Sequence, residues 1–227
     1  MKFGVITFPG SNCDEDMVYV LQDLLKQKVE RLWHKDTDLK GVDFVVLPGG
    51  FSYGDYLRSG AIAKFSPIMN EVMAHADKGG YVMGICNGFQ ILTESGLLEG
   101  ALLHNENQKF ICKNVYLKPA SSGNVLTKGL ENKAYKIPIA HGEGRFYAPT
   151  DVVKSLQDND QILFNYCSAE GEVATAHNPN GSLLNIAGIT NKKKNVFGMM
   201  PHPERAADHT ISNMDGKAIF DSILKYC

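Results

Sequence analysis

Short apolar runs alternate with amphipathic stretches through the first hundred residues. The four runs of strand length span residues 2–8, 29–33, 43–47 and 81–85. Apolar side chains recur at helical spacing after the first run and again after Pro67, where Ser66 suits the cap and proline suits the first helical position. This alternation predicts a parallel sheet with helices on both faces, and in such sheets functional sites gather beyond the carboxyl ends of the strands.

The second half of the chain has a different pattern. Strand-like segments cover residues 115–117, 162–166, 172–177, 183–189 and 196–200. Short turns join them, and an amphipathic helix with Ile219 and Ile223 closes the chain. We therefore predict a flavodoxin-like, three-layer α/β fold with a mixed, mainly parallel sheet and an antiparallel extension. No repeat or linker interrupts the chain, so residues 1–227 are expected to form a single domain.

Composition narrows the classes of function. The chain has 227 residues, 44% of them apolar, and a formal net charge of −2. We therefore expect one large core and neither a nucleic-acid nor a membrane partner. The uncharged run 79–93 is too short to span a bilayer, which needs about 20 apolar residues. Five scattered cysteines without a C-x-x-C pair argue against a disulfide framework and a structural zinc site, so we expect no metal and a location in the reducing cytoplasm.

Residues 80–92 carry the most informative pattern. An apolar strand leads directly into the spacing Gly84-x-Cys86-x-Gly88, and apolar residues at helical spacing follow. In a strand–turn–helix of this kind the nucleophile lies on a sharp turn, and glycines two residues to either side avoid collisions. A cysteine after an apolar strand is more often a small buried side chain, but the flanking glycines favour Cys86 as a nucleophile.

A cysteine nucleophile needs a base, a group that orients the base, and donors for the oxyanion. His202 follows an apolar strand, and Pro203 favours an extended conformation there, so that Glu204 can share its side of the chain and orient the imidazole. The alternative is that His202 only decorates a proline-containing turn. For the oxyanion we predict the backbone amides of Asn87, directly after the nucleophile, and of Gly50 in an earlier loop.

The segment His141 to Arg145 is a third unusual stretch. Its two glycines permit close approach to the backbone, and its charged side chains can engage the ammonium or carboxylate group of an amino acid. The alternative is a glycine turn with solvated charges. Asp55 and Arg58 can likewise be members of structural ion pairs. The loop after the first strand lacks a G-x-G-x-x-G pattern and precedes three carboxylates, which argues against a nucleotide phosphate site.

Three motifs together resemble those of the class I, or triad, glutamine amidotransferases. They are Leu47-Pro48-Gly49-Gly50, Gly84-Ile85-Cys86-Asn87-Gly88-Phe89-Gln90 and Pro201-His202-Pro203-Glu204-Arg205. Residues 8–14, 51–61 and 141–145 are similar to segments of the glutaminase subunits of phosphoribosylformylglycinamidine synthases, which act in purine biosynthesis. The resemblance runs from residue 2 to the C-terminal helix and is weakest between residues 150 and 195.

The resemblance implies a mechanism and partners. Cys86 would attack the side-chain amide of glutamine, His202 would carry the thiol proton to the departing ammonia, and Glu204 would orient His202. Water would hydrolyse the thioester, and the ammonia would pass to a large synthetase subunit that makes formylglycinamidine ribonucleotide. The candidates for holding the glutamine are Gln90, His141, Gly142 and Glu143. A small accessory subunit is the usual third member, and ATP and Mg²⁺ are expected in the synthetase, with no cofactor in this chain.

Two other interpretations remain open. A γ-glutamyl hydrolase or cysteine peptidase built on the same turn would cleave its substrate without passing ammonia on. A non-enzymatic partner subunit with a flavodoxin-like fold would carry an incidental thiol. The segments at 51–61 and 142–145 argue against the first, and the intact set of Cys86, His202 and Glu204 argues against the second. We expect weak glutaminase activity without a synthetase, because an unrestrained glutaminase would waste glutamine.

Overall fold

The computed structural model describes residues 1–211 and 213–227. These residues cluster into two compact units. The first comprises Met1–Leu98 and Asn195–Gly198, and the second comprises Glu99–Lys194 and Met199–Cys227. The expectation of a single domain over residues 1–227 stays a prediction.

Four parallel strands form the core of the first unit. They are β1 (Lys2–Thr7), β2 (Lys28–Trp33), β3 (Phe44–Leu47) and β4 (Tyr81–Ile85), in the order β2-β1-β3-β4. Every residue of β3 is buried, so both faces of this strand are covered. The strand order reverses between β1 and β3, and ligands of open α/β sheets bind at the carboxyl edge of such a point. The loops after β1, β3 and β4 all leave from that edge.

Helices follow three strands of the first unit. They are α1 (Asp14–Val18, continued as a π-helix over Tyr19–Leu24), α2 (Pro67–Asp77) and α3 (Asn87–Glu94). Pro67 opens α2 after Ser66, as predicted. No helix in the described part of the chain is long and apolar enough to cross a membrane.

Antiparallel strands dominate the second unit. Its strands are β5 (Ala101–Leu103), β6 (Ile111–Pro119), β7 (Tyr135–His141), β8 (Arg145–Tyr147), β9 (Ile162–Cys167) and β10 (Ile186–Thr190), whereas the last strand of the chain, β11 (Val196–Met199), lies mostly in the first unit. Within the second unit, β10, β9, β6 and β7 pair in that order, and β5 pairs with β8. Two helices complete it, α4 (Thr150–Asp158) and α5 (Lys217–Tyr226). The parallel strands of the first unit and the antiparallel strands of the second confirm the predicted mixed α/β class.

The second unit also departs from the predicted elements. Residues 172–177 are not a strand but end in a 3₁₀ turn, Thr175–His177, and residues 183–189 begin with another, Leu183–Asn185, before β10. Strand β7 was not predicted, and Pro138 within it removes a backbone donor. Proline is tolerated there because β7 ends the strand order of the sheet.

Candidate active site

The sharp turn at Cys86 forms as predicted. Cys86 joins β4 to α3, and its backbone has φ 50° and ψ −106°, a conformation that residues other than glycine rarely adopt. The residue is buried, with 5% of its surface exposed. A strained conformation persists only where the surrounding structure holds it. Here it lies at the strand-to-helix junction that suits a nucleophile.

Two glycines allow this turn to pack. A Cβ on Gly88 would lie 1.9 Å from the carbonyl oxygen of Leu47, and a Cβ on Gly84 would lie 2.5 Å from the carbonyl group of Gly88. Both contacts are with backbone, which cannot move aside as a flexible side chain can. The close packing of α3 against β3 and β4 therefore depends on the bare backbone at both positions.

The loop after β3 packs against the loop after β1. Gly50 forms an isolated antiparallel bridge with Ser11, and its φ of 149° places it outside the range that side chains favour. A Cβ on Gly50 would lie 2.7 Å from the Cα atom of Ser11. The Phe51 N–H donates to the carbonyl oxygen of Gly10 at 2.9 Å. Gly50 is thus held by its own bridge to Ser11 and by the hydrogen bond of the next residue, Phe51.

The side chain of Asn87 joins this loop to α3. Its Oδ1 accepts a hydrogen bond from the Ser52 N–H at 3.1 Å, and its Nδ2 donates to Gln90 Oε1 at 2.9 Å and to Asp55 Oδ1 at 3.4 Å. The first unit therefore brings Gly50, Asn87 and Gln90 into one hydrogen-bonded neighbourhood around the Cys86 turn. Asp55 is thus a member of this network.

Tyr53 anchors the same loop from its other side. Its hydroxyl lies 2.6 Å from His34 Nδ1 and 2.9 Å from Ser66 Oγ, and its N–H donates to the Pro9 carbonyl oxygen at 2.6 Å. Its φ of 54° is again unusual. Burial, and secondarily the positive charge of Lys35, lowers the pKa of His34. Sequence reasoning missed this network because its members come from separate elements.

Outside this neighbourhood, Arg58 is a member of a structural ion pair. Its guanidinium donates to both carboxylate oxygens of Glu94, at 2.6 and 2.7 Å. The structural alternative considered for Arg58 therefore accounts for its position.

In the second unit, His202 and Glu204 form a buried pair. Glu204 Oε1 lies 2.6 Å from His202 Nδ1, and the two side chains are 0% and 2% exposed. A carboxylate at this distance accepts the Nδ1–H, which leaves Nε2 as the nitrogen that exchanges protons. The His202 N–H donates to the Pro138 carbonyl oxygen of β7 at 2.8 Å, which anchors the turn.

The route to this pair differs from the sequence-based argument. We expected an extended chain to place His202 and Glu204 on the same side. Instead, Pro203 begins a 3₁₀ turn, Pro203–Ala206, and Glu204 reaches back to His202 from within it. The turn packs closely, since a Cβ on Gly216 would lie 2.1 Å from the Pro203 carbonyl oxygen.

Asn105, which sequence reasoning missed, organises the segment that begins with His141. Its Nδ2 donates to the carbonyl oxygens of His141 and Lys109, both at 2.8 Å. Its Oδ1 lies 3.0 Å from His141 Nδ1 and accepts the Gly144 N–H at 3.2 Å. The Asn105 N–H binds the Gly142 carbonyl oxygen at 2.8 Å. An asparagine in a loop gives no periodic signal, so its role appears only in the folded chain.

Glu143, another member of this segment, lies near the side chain of His104. Glu143 Oε1 lies 3.6 Å from His104 Nε2. Burial, and secondarily the charge that His202 can carry, lowers the pKa of His141 to about 4.

The predicted site residues are divided between the two units. Gly50, Cys86, Asn87 and Gln90 lie in the first unit. The others, His141, Gly142, Glu143, His202 and Glu204, lie in the second.

Comparisons with known proteins point to one family. The family of CobB/CobQ-like glutamine amidotransferase domains matches residues 1–227. The phosphoribosylformylglycinamidine synthase subunit PurQ of Synechocystis is 59% identical over 97% of this chain and 99% of its own. That of Acaryochloris marina is 55% identical, over 99% and 96%. Among solved structures, PurLQS from Thermotoga maritima matches with a TM-score of 0.87 at 42% identity, over 99% of this chain and 98% of the matched chain.

Proposed function

The chain belongs to the CobB/CobQ-like glutamine amidotransferase family, and we propose that it is the glutaminase subunit of a phosphoribosylformylglycinamidine synthase. It hydrolyses glutamine to glutamate and ammonia. The ammonia passes to a synthetase subunit, which converts formylglycinamide ribonucleotide to formylglycinamidine ribonucleotide in purine biosynthesis. The structural observation that carries the enzymatic part of this proposal is the strained, buried turn at Cys86.

Cys86 is the nucleophile in this proposal, and His202 is the base. The thiol proton passes to His202 Nε2 while Sγ forms a bond to the carboxamide carbon of glutamine. The tetrahedral intermediate then collapses: the imidazolium returns its proton to the amide nitrogen, the carbon–nitrogen bond breaks, and the nitrogen leaves as ammonia. Glu204 holds the Nδ1–H of His202 and stabilises the transient positive charge. Water, activated by the same base, hydrolyses the thioester and releases glutamate.

The backbone amides of Gly50 and Asn87 are the proposed oxyanion donors. Support comes from the way each is held: Gly50 by the bridge to Ser11, and Asn87 by its side-chain bonds to Ser52 and Gln90. Donors fixed before the reaction need no reorganisation as negative charge develops. Preorganised donors of this kind typically contribute about 10²- to 10³-fold in rate.

Gln90, His141, Gly142 and Glu143 are the proposed contacts for glutamine. Gln90 is buried beside Asn87, and the backbone of Gly142 is held by Asn105. In this proposal ATP and Mg²⁺ act in the synthetase and this chain needs no cofactor. A small accessory subunit completes the complex, and the whole acts in the cytoplasm.

The proposal is tested by separating glutamine hydrolysis from ammonia use. The assembled complex is assayed for formylglycinamidine ribonucleotide with glutamine or with a high concentration of ammonium as the nitrogen source. We expect Cys86→Ala to abolish the glutamine-dependent reaction and to leave the ammonium-dependent one intact. The matched control is Cys112→Ala, which removes an exposed free thiol and should leave both reactions unchanged.

Two results would contradict the proposal. Glutamine hydrolysis that survives in Cys86→Ala would remove Cys86 as nucleophile. Hydrolysis of γ-glutamyl peptides that exceeds glutamine hydrolysis and ignores the synthetase would favour the hydrolase alternative.

A further inference from the structure

The hydrogen bonds of Asn105 determine the tautomer of His141. The carbonyl oxygens of His141 and Lys109 can only accept, and the Gly144 N–H can only donate. Asn105 must therefore direct Nδ2 to the two carbonyls and Oδ1 to the Gly144 N–H. Because Oδ1 is an acceptor and lies 3.0 Å from His141 Nδ1, the proton of the neutral imidazole is on Nδ1. His141 Nε2 is consequently an unprotonated acceptor.

This acceptor is buried without a protein partner. His141 is 3% exposed, and no described protein atom forms a hydrogen bond with its Nε2. A buried polar atom without a partner typically costs about 1–3 kcal/mol. The ring packs against the bare backbone of Gly144, where a Cβ would lie 2.3 Å from it, and the bond from Nδ1 to Asn105 sets its orientation. A fold that holds an acceptor in this way is suited to a ligand that brings a donor.

The acceptor lies on the strand that anchors the proposed base. His202 is anchored through its N–H to Pro138, three residues before His141 on the same strand. Burial, and secondarily the charge of a protonated His202, lowers the pKa of His141 to about 4, so its imidazole is neutral above that pH. His141 Nε2 is a neutral acceptor, and His202, whose charge acts on His141, becomes positive during the reaction. A neutral donor therefore binds to Nε2 more favourably than a second cation would.

We propose that His141 Nε2 accepts a hydrogen bond from the carboxamide N–H of glutamine and then from the ammonia that leaves. The inference rests on the function proposed above and assigns one atom of the site to the leaving nitrogen. His202 returns its proton to that nitrogen, the carbon–nitrogen bond breaks, and His141 gains no proton at any step. The α-ammonium group is a poorer partner because its positive charge would face the imidazolium of His202.

The test uses two substrates that differ in the leaving atom. Glutamine leaves with a nitrogen that carries N–H groups, whereas the γ-methyl ester of glutamate leaves with an oxygen that has no N–H. The assembled complex is assayed for kcat and KM with each substrate. His141→Phe keeps a ring without an acceptor, His141→Gln offers an acceptor oxygen near the Nε2 position, and His177→Gln is the control in the same unit.

We expect His141→Phe to lower kcat for glutamine by roughly 10- to 100-fold, the cost of one buried hydrogen bond. With the methyl ester, kcat should stay within about twofold of wild type, which also shows that the variant is folded. His141→Gln should recover part of the rate with glutamine, and His177→Gln should match wild type.

Other outcomes overturn the inference. Equal losses with both substrates would mean that His141 only supports the structure. A change in KM alone would mean that it binds another part of glutamine. Unchanged rates with both would mean that Nε2 meets only water. If wild type cleaves neither substrate, the proposed function itself fails, which is distinguishable from each of these results.

Discussion

The two units hold their candidate residues by different means. In the first unit the arrangement is made by backbone, because Gly84, Gly88 and Gly50 let main chain pack against main chain around Cys86. In the second unit it is made by side chains, because Glu204 holds His202 and Asn105 holds His141. Close backbone packing cannot accept an added methyl group, whereas a side-chain network can keep its shape while losing a charge. We therefore expect substitutions of these glycines in the first unit to lower stability, and substitutions of these buried side chains in the second to lower rate.

Among the substitutions that test this comparison, the largest effect is expected from Glu204→Gln in the second unit. The substitution keeps the size of the side chain but removes the charge that stabilises a protonated His202, so kcat for glutamine should fall by roughly 10³-fold. The free energy of unfolding should change by less than about 1 kcal/mol, since a buried charge is also removed. Steady-state kinetics and chemical denaturation measure the two quantities.

Glu131→Gln, at a carboxylate whose side chain is 77% exposed, is the control for that experiment. A variant at Glu204 that keeps its full rate, or one that does not fold, would break the contrast between the units.

Gly88→Ala tests the first unit. The added Cβ would lie 1.9 Å from the Leu47 carbonyl oxygen, so α3 must move away from β3 or the protein must unfold. We expect the free energy of unfolding to fall by about 3 kcal/mol or more, which denaturation curves measure. Gly123→Ala is the control, because its Cβ would meet only the ends of the Asp160 and Lys194 side chains. Equal stability of the two variants would show that the turn is less constrained than its geometry implies.

The pH dependence of stability sharpens the description of the second unit. The pKa of His141 is about 4 in the folded chain and about 6.5 when unfolded. Between these values the unfolded state binds more protons, so stability is full above about pH 6.5 and falls as the pH decreases towards 4, by about 3 kcal/mol. The lowered pKa of His34 acts in the same direction.

Denaturation curves between pH 7 and 4 test the contribution of His141. His141→Gln should lose less stability over this interval than wild type does, and His34 should contribute to the loss that remains. An identical loss in both proteins would mean that His141 does not stay neutral in the folded chain.

The smallest effect is expected from Tyr53→Phe. This variant tests whether the first unit also depends on contacts between side chains. The variant loses the hydroxyl contacts with His34 and Ser66, so stability should fall by about 1 kcal/mol and kcat by several-fold. Tyr56→Phe is the control, at a residue that is 71% exposed. A loss in kcat greater than that of Glu204→Gln would mean that side chains govern both units alike.

Predictions from the sequence succeeded where neighbouring residues determine the outcome. The strand Tyr81–Ile85, the turn at Cys86 and the start of α2 at Pro67 follow from apolar runs and from local steric limits on glycine and proline. The pairing of His202 with Glu204 was also anticipated from their spacing, although the turn that makes it was not.

Contacts between distant parts of the chain were decided by the tertiary structure alone. Asn105 contacts His141, which lies 36 residues away in the sequence, and Tyr53 contacts His34, which lies 19 residues away. Strand β7 accepts Pro138 only because no further strand of the described sheet follows it. The sequence by itself thus determined the turn that presents Cys86, because steric limits act between adjacent residues. The fold determined which nitrogen of His141 carries a proton, because a hydrogen bond depends on where both partners lie in space.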